Sequence, residues 1–157
     1  MILPTQHFGE IEISEEQIIT FEGGLPGFPE DLRFIIIEDG EPESPFCWLQ
    51  SVDDTDTCFI LMDVFSSNFP DYAPELLPEE VLSLGEFNKE TAKDFLIYNI
   101  VVLPEDSSKM SVNLLAPVLI NQAARRGAQL IAQNADEKGY TVRHYILGAD
   151  SAESEGL

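Results

Sequence analysis

The sequence predicts a mainly β chain: a small, partly open antiparallel β-barrel or a sandwich, with one or two short helices. Three observations point there. Short apolar runs rich in β-branched and aromatic residues recur along the chain. Ten glycines and ten prolines punctuate them, as in folds built from many short strands. Helix signals, in contrast, are few. A chain of 157 residues fits one domain and can bury a core without disulfides or metals. That domain is assigned to residues 1–147. Residues 148–157 are small and acidic with almost no apolar content, so a disordered tail is expected.

Taken in order, Phe8-Gly9-Glu10-Ile11-Glu12-Ile13 alternates apolar and polar residues, as a half-buried strand does. Ile18 to Phe21 and Arg33 to Ile37 are further short runs. Between them lies FEGGLPGFPE, which raises the question of a phosphate cradle. Pro26 and Pro29 lack an N–H, Glu22, Glu30 and Asp31 would repel phosphate, and there is no nearby Lys. Leu25-Pro26-Gly27 suits a type II turn instead, anchored by Leu25 and Phe28. Phe46 to Val52 and Cys58 to Met62 flank the polar turn Asp53-Asp54-Thr55-Asp56-Thr57 and read as a hairpin.

Pro78 to Gly85 has Pro near its start, acids in its first turn and Gly at its end, which suits a short helix. Phe95 to Leu103 is apolar on both faces except at Asn99 and stops at Pro104, so it reads as a central strand. Val112 to Leu115, Val118 to Asn121 and Tyr140 to Ile146 complete the strands. Pro117 marks an edge, a bulge or a corner, because it has no N–H for a ladder. In Gln122 to Ile131, Gly127 is read as a turn leading into a strand from Gln129.

Charge is the unusual quantity. Eight Lys and Arg stand against 29 Asp and Glu, a formal −21. Residues 1–88 hold 20 acids and one base, Arg33, and carry −19; residues 89–157 hold 9 acids and 7 bases and carry −2. This excludes nucleic acid and anionic membrane as direct ligands, since both require cations. It leaves two readings open, attraction of a basic protein partner and solubility alone. So much like charge also makes a monomer the expected state. No signal peptide follows Met1, no apolar stretch is long enough to span a membrane, and Cys47 and Cys58 are expected as free thiols in the cytoplasm.

Motifs for chemistry are lacking. His7 and His144 have no partner at metal-ligand spacing, and the Asp53 to Thr57 turn lacks the Gly and distal Glu of an EF-hand, so a solvated turn is expected. There is no G-x-S-x-G elbow, and neither cysteine has an adjacent base. No catalytic residue, metal or cofactor is expected. A hydrolase would need a buried, perturbed carboxylate pair. What remains is surface: Phe69-Pro70-Asp71-Tyr72 combines two aromatics with a carboxylate in a loop. These aromatics either anchor a partner or tuck beneath the loop against the barrel.

Several stretches occur together in order: Phe8 to Ile13, Gly24-Leu25-Pro26-Gly27-Phe28, Trp48-Leu49-Gln50-Ser51, Phe69-Pro70-Asp71-Tyr72, Pro104-Glu105-Asp106, Asn113 to Pro117, then Asn121 with Arg125, Gly127 and Gln129, and Tyr140 with Arg143 and His144. The set resembles the FliW family of bacterial flagellar assembly factors over about residues 3 to 146. The resemblance implies a non-enzymatic, cytoplasmic regulator with a β-barrel-like fold that binds flagellin and CsrA, a dimeric RNA-binding repressor of flagellin translation. Flagellin and CsrA would exchange on it as partners. The alternative is a flagellin export chaperone or acidic scaffold that does not bind CsrA. Expected contact residues are Phe69, Asp71, Tyr72 and Glu75, with Gly24, Pro26, Gly27, Asn113 and Pro117 as scaffold.

Overall fold

A computed structural model describes residues 1–66, 69 and 71–146; the tail expected over 148–157 lies outside the described residues. Ile2–Thr5 (β1) and Gly9–Glu12 (β2) form a separate antiparallel hairpin. The remaining strands are Ile19–Thr20 (β3), Arg33–Glu38 (β4), Phe46–Ser51 (β5), Cys58–Met62 (β6), Phe95–Val102 (β7), Ser111–Val112 (β8), Val118–Asn121 (β9), Arg126–Gln129 (β10) and His144–Tyr145 (β11). Two short helices, Pro78–Leu82 (α1) and Ala135–Lys138 (α2), complete the chain with several 3₁₀ turns.

The strands run β7-β6-β5-β4-β3-β10-β9 around a ring, and β9 pairs back onto β7, so seven strands close a barrel. The fold is mainly β with two short helices, as the sequence predicts, and of the two forms left open it is the barrel. All the ring's pairings are antiparallel except β3 with β10, which meet in parallel at Thr20 and Arg126. The Thr20 N–H donates to the Arg125 carbonyl at 2.9 Å and holds that junction.

Successive side chains on a strand point to opposite faces. Phe34 and Ile36, Cys47 and Leu49, Phe59 and Leu61, Tyr98 and Ile100, and Val118 and Ile120 pack together in one core with Phe21 and Leu25. The intervening residues build three further clusters. Ile35 and Ile37 pack with Leu3, Ile11 and Ile13 of the hairpin. Met62, Val101 and Val112 pack with Val64, Phe69, Tyr72 and Leu114. Phe95, Ile97 and Leu119 pack with Leu76, Val81 and Leu84. This double burial is why β4, β6 and β7 read as continuous apolar runs.

β7 pairs with β6 along one edge. Its other edge serves two strands: β9 along Phe95 to Tyr98, then β8 along Val101 and Val102. Pro117 lies at the corner between β8 and β9, where the Leu130 N–H donates to its carbonyl at 2.9 Å. The turn at Leu25-Pro26-Gly27 forms as expected. The Phe28 N–H donates to the Leu25 carbonyl at 2.7 Å, and Gly27 has the φ of +86° that a type II turn requires.

Several expectations need correction, and of the expected Val112–Leu115 strand only Val112 joins the ladder. A strand at Ile2–Thr5 was missed, because four residues containing a proline carry little signal; Leu3 and Thr5 are nonetheless buried. Gly127 is not a turn residue but lies within β10. A Cβ there would stand 2.6 Å from the Phe21 ring, so the position is glycine for close approach. The turn comes earlier, at Gln122 to Arg125, where Asn121 Oδ1 accepts from the N–H groups of Ala123 and Ala124. Only His144 and Tyr145 of the expected Tyr140–Ile146 strand join the ladder. Finally, Asp53 is not simply part of a solvated turn. Its Oδ2 accepts from the Leu32 and Arg33 N–H groups at 2.9 Å each, and Arg33 reaches Oδ1 at 2.8 Å.

Gly127→Ala should destabilise the fold by about 1–3 kcal/mol, because the fully buried Phe21 ring has nowhere to move. An unchanged urea midpoint contradicts that packing. Partial burial pushes the Asp53 carboxyl upward, but the Arg33 guanidinium and the two backbone N–H groups outweigh it and hold it below its ordinary 3.8. A depressed value means the stabilisation is whole above pH 3.8 and is lost as pH falls through the folded value. The melting-temperature gap between wild type and Asp53→Asn should therefore shrink as pH drops below 3.8, and a gap that stays constant contradicts the assignment.

Candidate functional site

Residues 71–75, with Phe69, form a strap that packs against β7 and β8 through Phe69 and Tyr72. Its position depends on the one polar interruption in β7. Asn99 is fully buried, and its Nδ2 donates to the Asn113 carbonyl at 2.8 Å and to the Tyr72 hydroxyl at 3.1 Å. The Tyr72 hydroxyl donates in turn to the Leu114 carbonyl at 2.7 Å. Asn99 Oδ1 has no hydrogen-bond partner among the described residues. Burial pushes the Tyr72 phenol up to about 12, so it stays protonated as a donor.

Residues from the C-terminal third complete the clamp. The Tyr140 hydroxyl accepts from the Ala73 N–H at 2.9 Å, and its ring meets Tyr72 edge to face at 4.8 Å. Asn134 brackets the strap: its Oδ1 accepts from the Glu75 N–H at 2.9 Å and its Nδ2 donates to the Ala73 carbonyl at 3.0 Å. The Gln133 N–H donates to the Glu75 carbonyl at 2.7 Å. Phe69 stands edge to face on His144 at 5.1 Å. A hollow of about 430 Å³ opens between the strap and the turn that follows α2, with Asp71 and Lys138 lining it.

The four expected contact residues therefore separate into two pairs. Tyr72 is 5% exposed and Phe69 is half-buried against the outer cluster, so the aromatics tuck beneath the loop. Asp71 and Glu75 are exposed, and the hydrogen bonds that hold the strap are made at Tyr72, Ala73 and Glu75. Sequence reasoning missed Asn134 and α2 as the support. Their signal was an Asn before one helical turn and Gly139, at φ +76°, closing it.

A second hollow, of about 480 Å³, gathers Arg33, Arg125 and Arg126. Each of them is engaged. Arg33 holds Asp53, Arg126 reaches Glu22 at 3.3 Å, and Arg125 donates to the Glu15 carbonyl at 2.8 Å. Among the described residues no group of three His, Cys, Asp or Glu side chains is placed to hold a metal, and no helix is long and apolar enough to cross a membrane. Asp31 is a buried carboxyl. Burial raises its pKa against the opposing hydrogen bond from Ser51 Oγ at 3.3 Å, and nearby Asp53 and Asp54 are exposed.

Comparison with known proteins adds independent findings. A family model described as FliW protein matches residues 2–146. A flagellar assembly factor FliW of Alkaliphilus metalliredigens is 42% identical over 147 residues, covering 94% of this chain and 86% of the relative. One from Caldicellulosiruptor bescii is 41% identical over 146 residues, covering 93% of this chain and 90% of the relative. A crystal structure of the flagellar assembly factor FliW superposes with a TM-score of 0.79 at 32% identity, covering 92% of this chain and 96% of that one.

Support and display predict different responses to substitution. Tyr72→Phe strands buried polar groups of Asn99 and Leu114 and should destabilise the protein by about 1–3 kcal/mol. Asp71→Lys and Glu75→Lys, on the exposed side of the same strap, should change stability by no more than about 0.5 kcal/mol. Urea unfolding of the three variants checks both; equal effects would contradict the division.

Proposed function

This chain belongs to the FliW family of flagellar assembly factors, and from that membership we propose that it is a cytoplasmic, non-catalytic regulator that binds flagellin and CsrA as exchanging partners. Flagellin that accumulates occupies the protein and leaves CsrA free to repress flagellin translation. Export of flagellin vacates it, and CsrA is captured. The protein acts as a monomer in this cycle.

Charge is the observation that supports the reading most. Of the 20 acids in residues 1–88, all but Asp31, Asp63 and Glu80 are exposed. An RNA-binding repressor must present cations to neutralise phosphate. A field of this sign accelerates the approach of such a surface and, once bound, repels RNA from it. Asp71 and Glu75 add exposed carboxylates, and the Glu75 backbone is held by Asn134 and Gln133, which reduces the conformational freedom lost on binding there.

The association rate with purified CsrA should fall on the order of tenfold or more between about 50 mM and about 500 mM salt. A flat salt profile contradicts electrostatic steering. The double charge reversal Asp71→Lys with Glu75→Lys should weaken at least one of the two complexes by about tenfold in titration calorimetry. Unchanged affinity for both flagellin and CsrA would place the contact on another face. Binding to flagellin with none to CsrA would favour the chaperone reading.

A further inference from the structure

Next to Glu75 the strap continues as Pro74, Leu76 and α1 and spans the outer face of β7 and β9. It does not seal that face. Asn121 Nδ2 donates to the Leu84 carbonyl at 2.9 Å and pins the segment at one point. A groove of about 600 Å³ remains between the segment and the barrel wall. Every residue lining it is apolar, with Val81, Leu82 and Phe87 on one side and Phe95, Ile97 and Leu119 on the other. Leu82 is 57% exposed and Phe87 is 53% exposed, although Phe87 also packs edge to face on Phe95 at 5.0 Å.

Charge narrows what can fill the groove. Residues 74–94 carry six carboxylates and two ammonium groups, and Glu75, Glu79 and Glu86 are exposed beside lining residues. A second copy of the chain brings the same −21 and is repelled. The tail, 148–157, is small and acidic, with one large apolar residue, Leu157, and lacks the spaced apolar side chains such a groove requires. An amphipathic helix presents an apolar stripe at i, i+3, i+4 and i+7, and Lys or Arg flanking that stripe would meet these carboxylates.

We propose that the groove between the 74–92 segment and the β7–β9 wall is a docking site for a basic amphipathic helix of a partner protein. The apolar stripe of that helix seats between Leu82, Phe87 and Ile97, and its cationic flanks face Glu75, Glu79 and Glu86. The proposal does not depend on which partner the acidic surface receives, and its test uses neither flagellin nor CsrA.

The probe is a short fluorescein-labelled peptide of Leu and Lys with Leu at helical spacing. Its control has the same composition in an order that gives no apolar face. Fluorescence anisotropy should show the amphipathic peptide binding at least about tenfold more tightly than the control. Leu82→Asp with Phe87→Asp should remove that difference, whereas Val142→Asp, at another exposed apolar position, should preserve it. Circular dichroism confirms that the variants are folded, and Phe87→Ser alone provides a milder form of the same test. Equal binding of the two peptides, or binding unchanged in the groove variants, would overturn the proposal. So would a dimer in sedimentation that dissociates on Leu82→Asp, since the groove would then belong to a second copy.

Discussion

β7 offers one edge to two strands, and barrel closure, the outer cluster and the strap above it all meet at that fork. β9 must pair with its first half to close the barrel, and β8 must pair with its second half to carry β11 and the outer cluster. Asn99 sits where one partner gives way to the other. Its amide bonds the Asn113 carbonyl of the chain leaving β8 and the Tyr72 hydroxyl of the strap above. The Asn113 N–H returns a bond to the Ile100 carbonyl at 2.9 Å. A side-chain amide thus replaces the ladder bonds that the fork interrupts. In a buried position these groups would be costly unpaired, so the network selects one arrangement of the crossing.

The strap follows from that arrangement. Because the Tyr72 hydroxyl bonds Asn99 and the Leu114 carbonyl, the strap is held against the sheet at this residue. Tyr140 and Asn134 then fix Ala73 and Glu75 from the C-terminal third. The exposed carboxylate of Glu75 therefore stands on backbone that these bonds hold. Two hollows of different chemistry flank the Asp71 and Glu75 carboxylates, one beside Asp71 that mixes aromatic rings with Asp71 and Lys138, and one wholly apolar beyond Glu75. The place of these two carboxylates is therefore a by-product of how the barrel solves its edge problem.

Much of this was legible in the sequence where the signal is local. The hairpin of β5 and β6, the long run of β7, the turn at Leu25 to Phe28 and the Pro-initiated α1 each follow from residue types a few positions apart. Asn99 was visible as the exception in an apolar strand, although its role was not. Closure was invisible, because it depends on β9 meeting β7 and β10 meeting β3 across long separations. Gly127 misled for a physical reason: a glycine that makes room for Phe21 looks the same in sequence as one that makes a turn. Phe69 and Tyr72 were ambiguous for a similar reason. An aromatic after a loop can anchor a partner or a core, and only the position of Leu114 and His144 decides. Asn134 and α2 left a one-turn signal too short to stand out.

We propose that flagellin and CsrA exchange on one acidic protein. The most direct measurement is a competition: a purified complex with CsrA is titrated with flagellin while free CsrA is followed by its binding to a labelled RNA. RNA-binding activity should be released in step with added flagellin. A stable ternary complex, with CsrA still withheld from RNA at saturating flagellin, would contradict it.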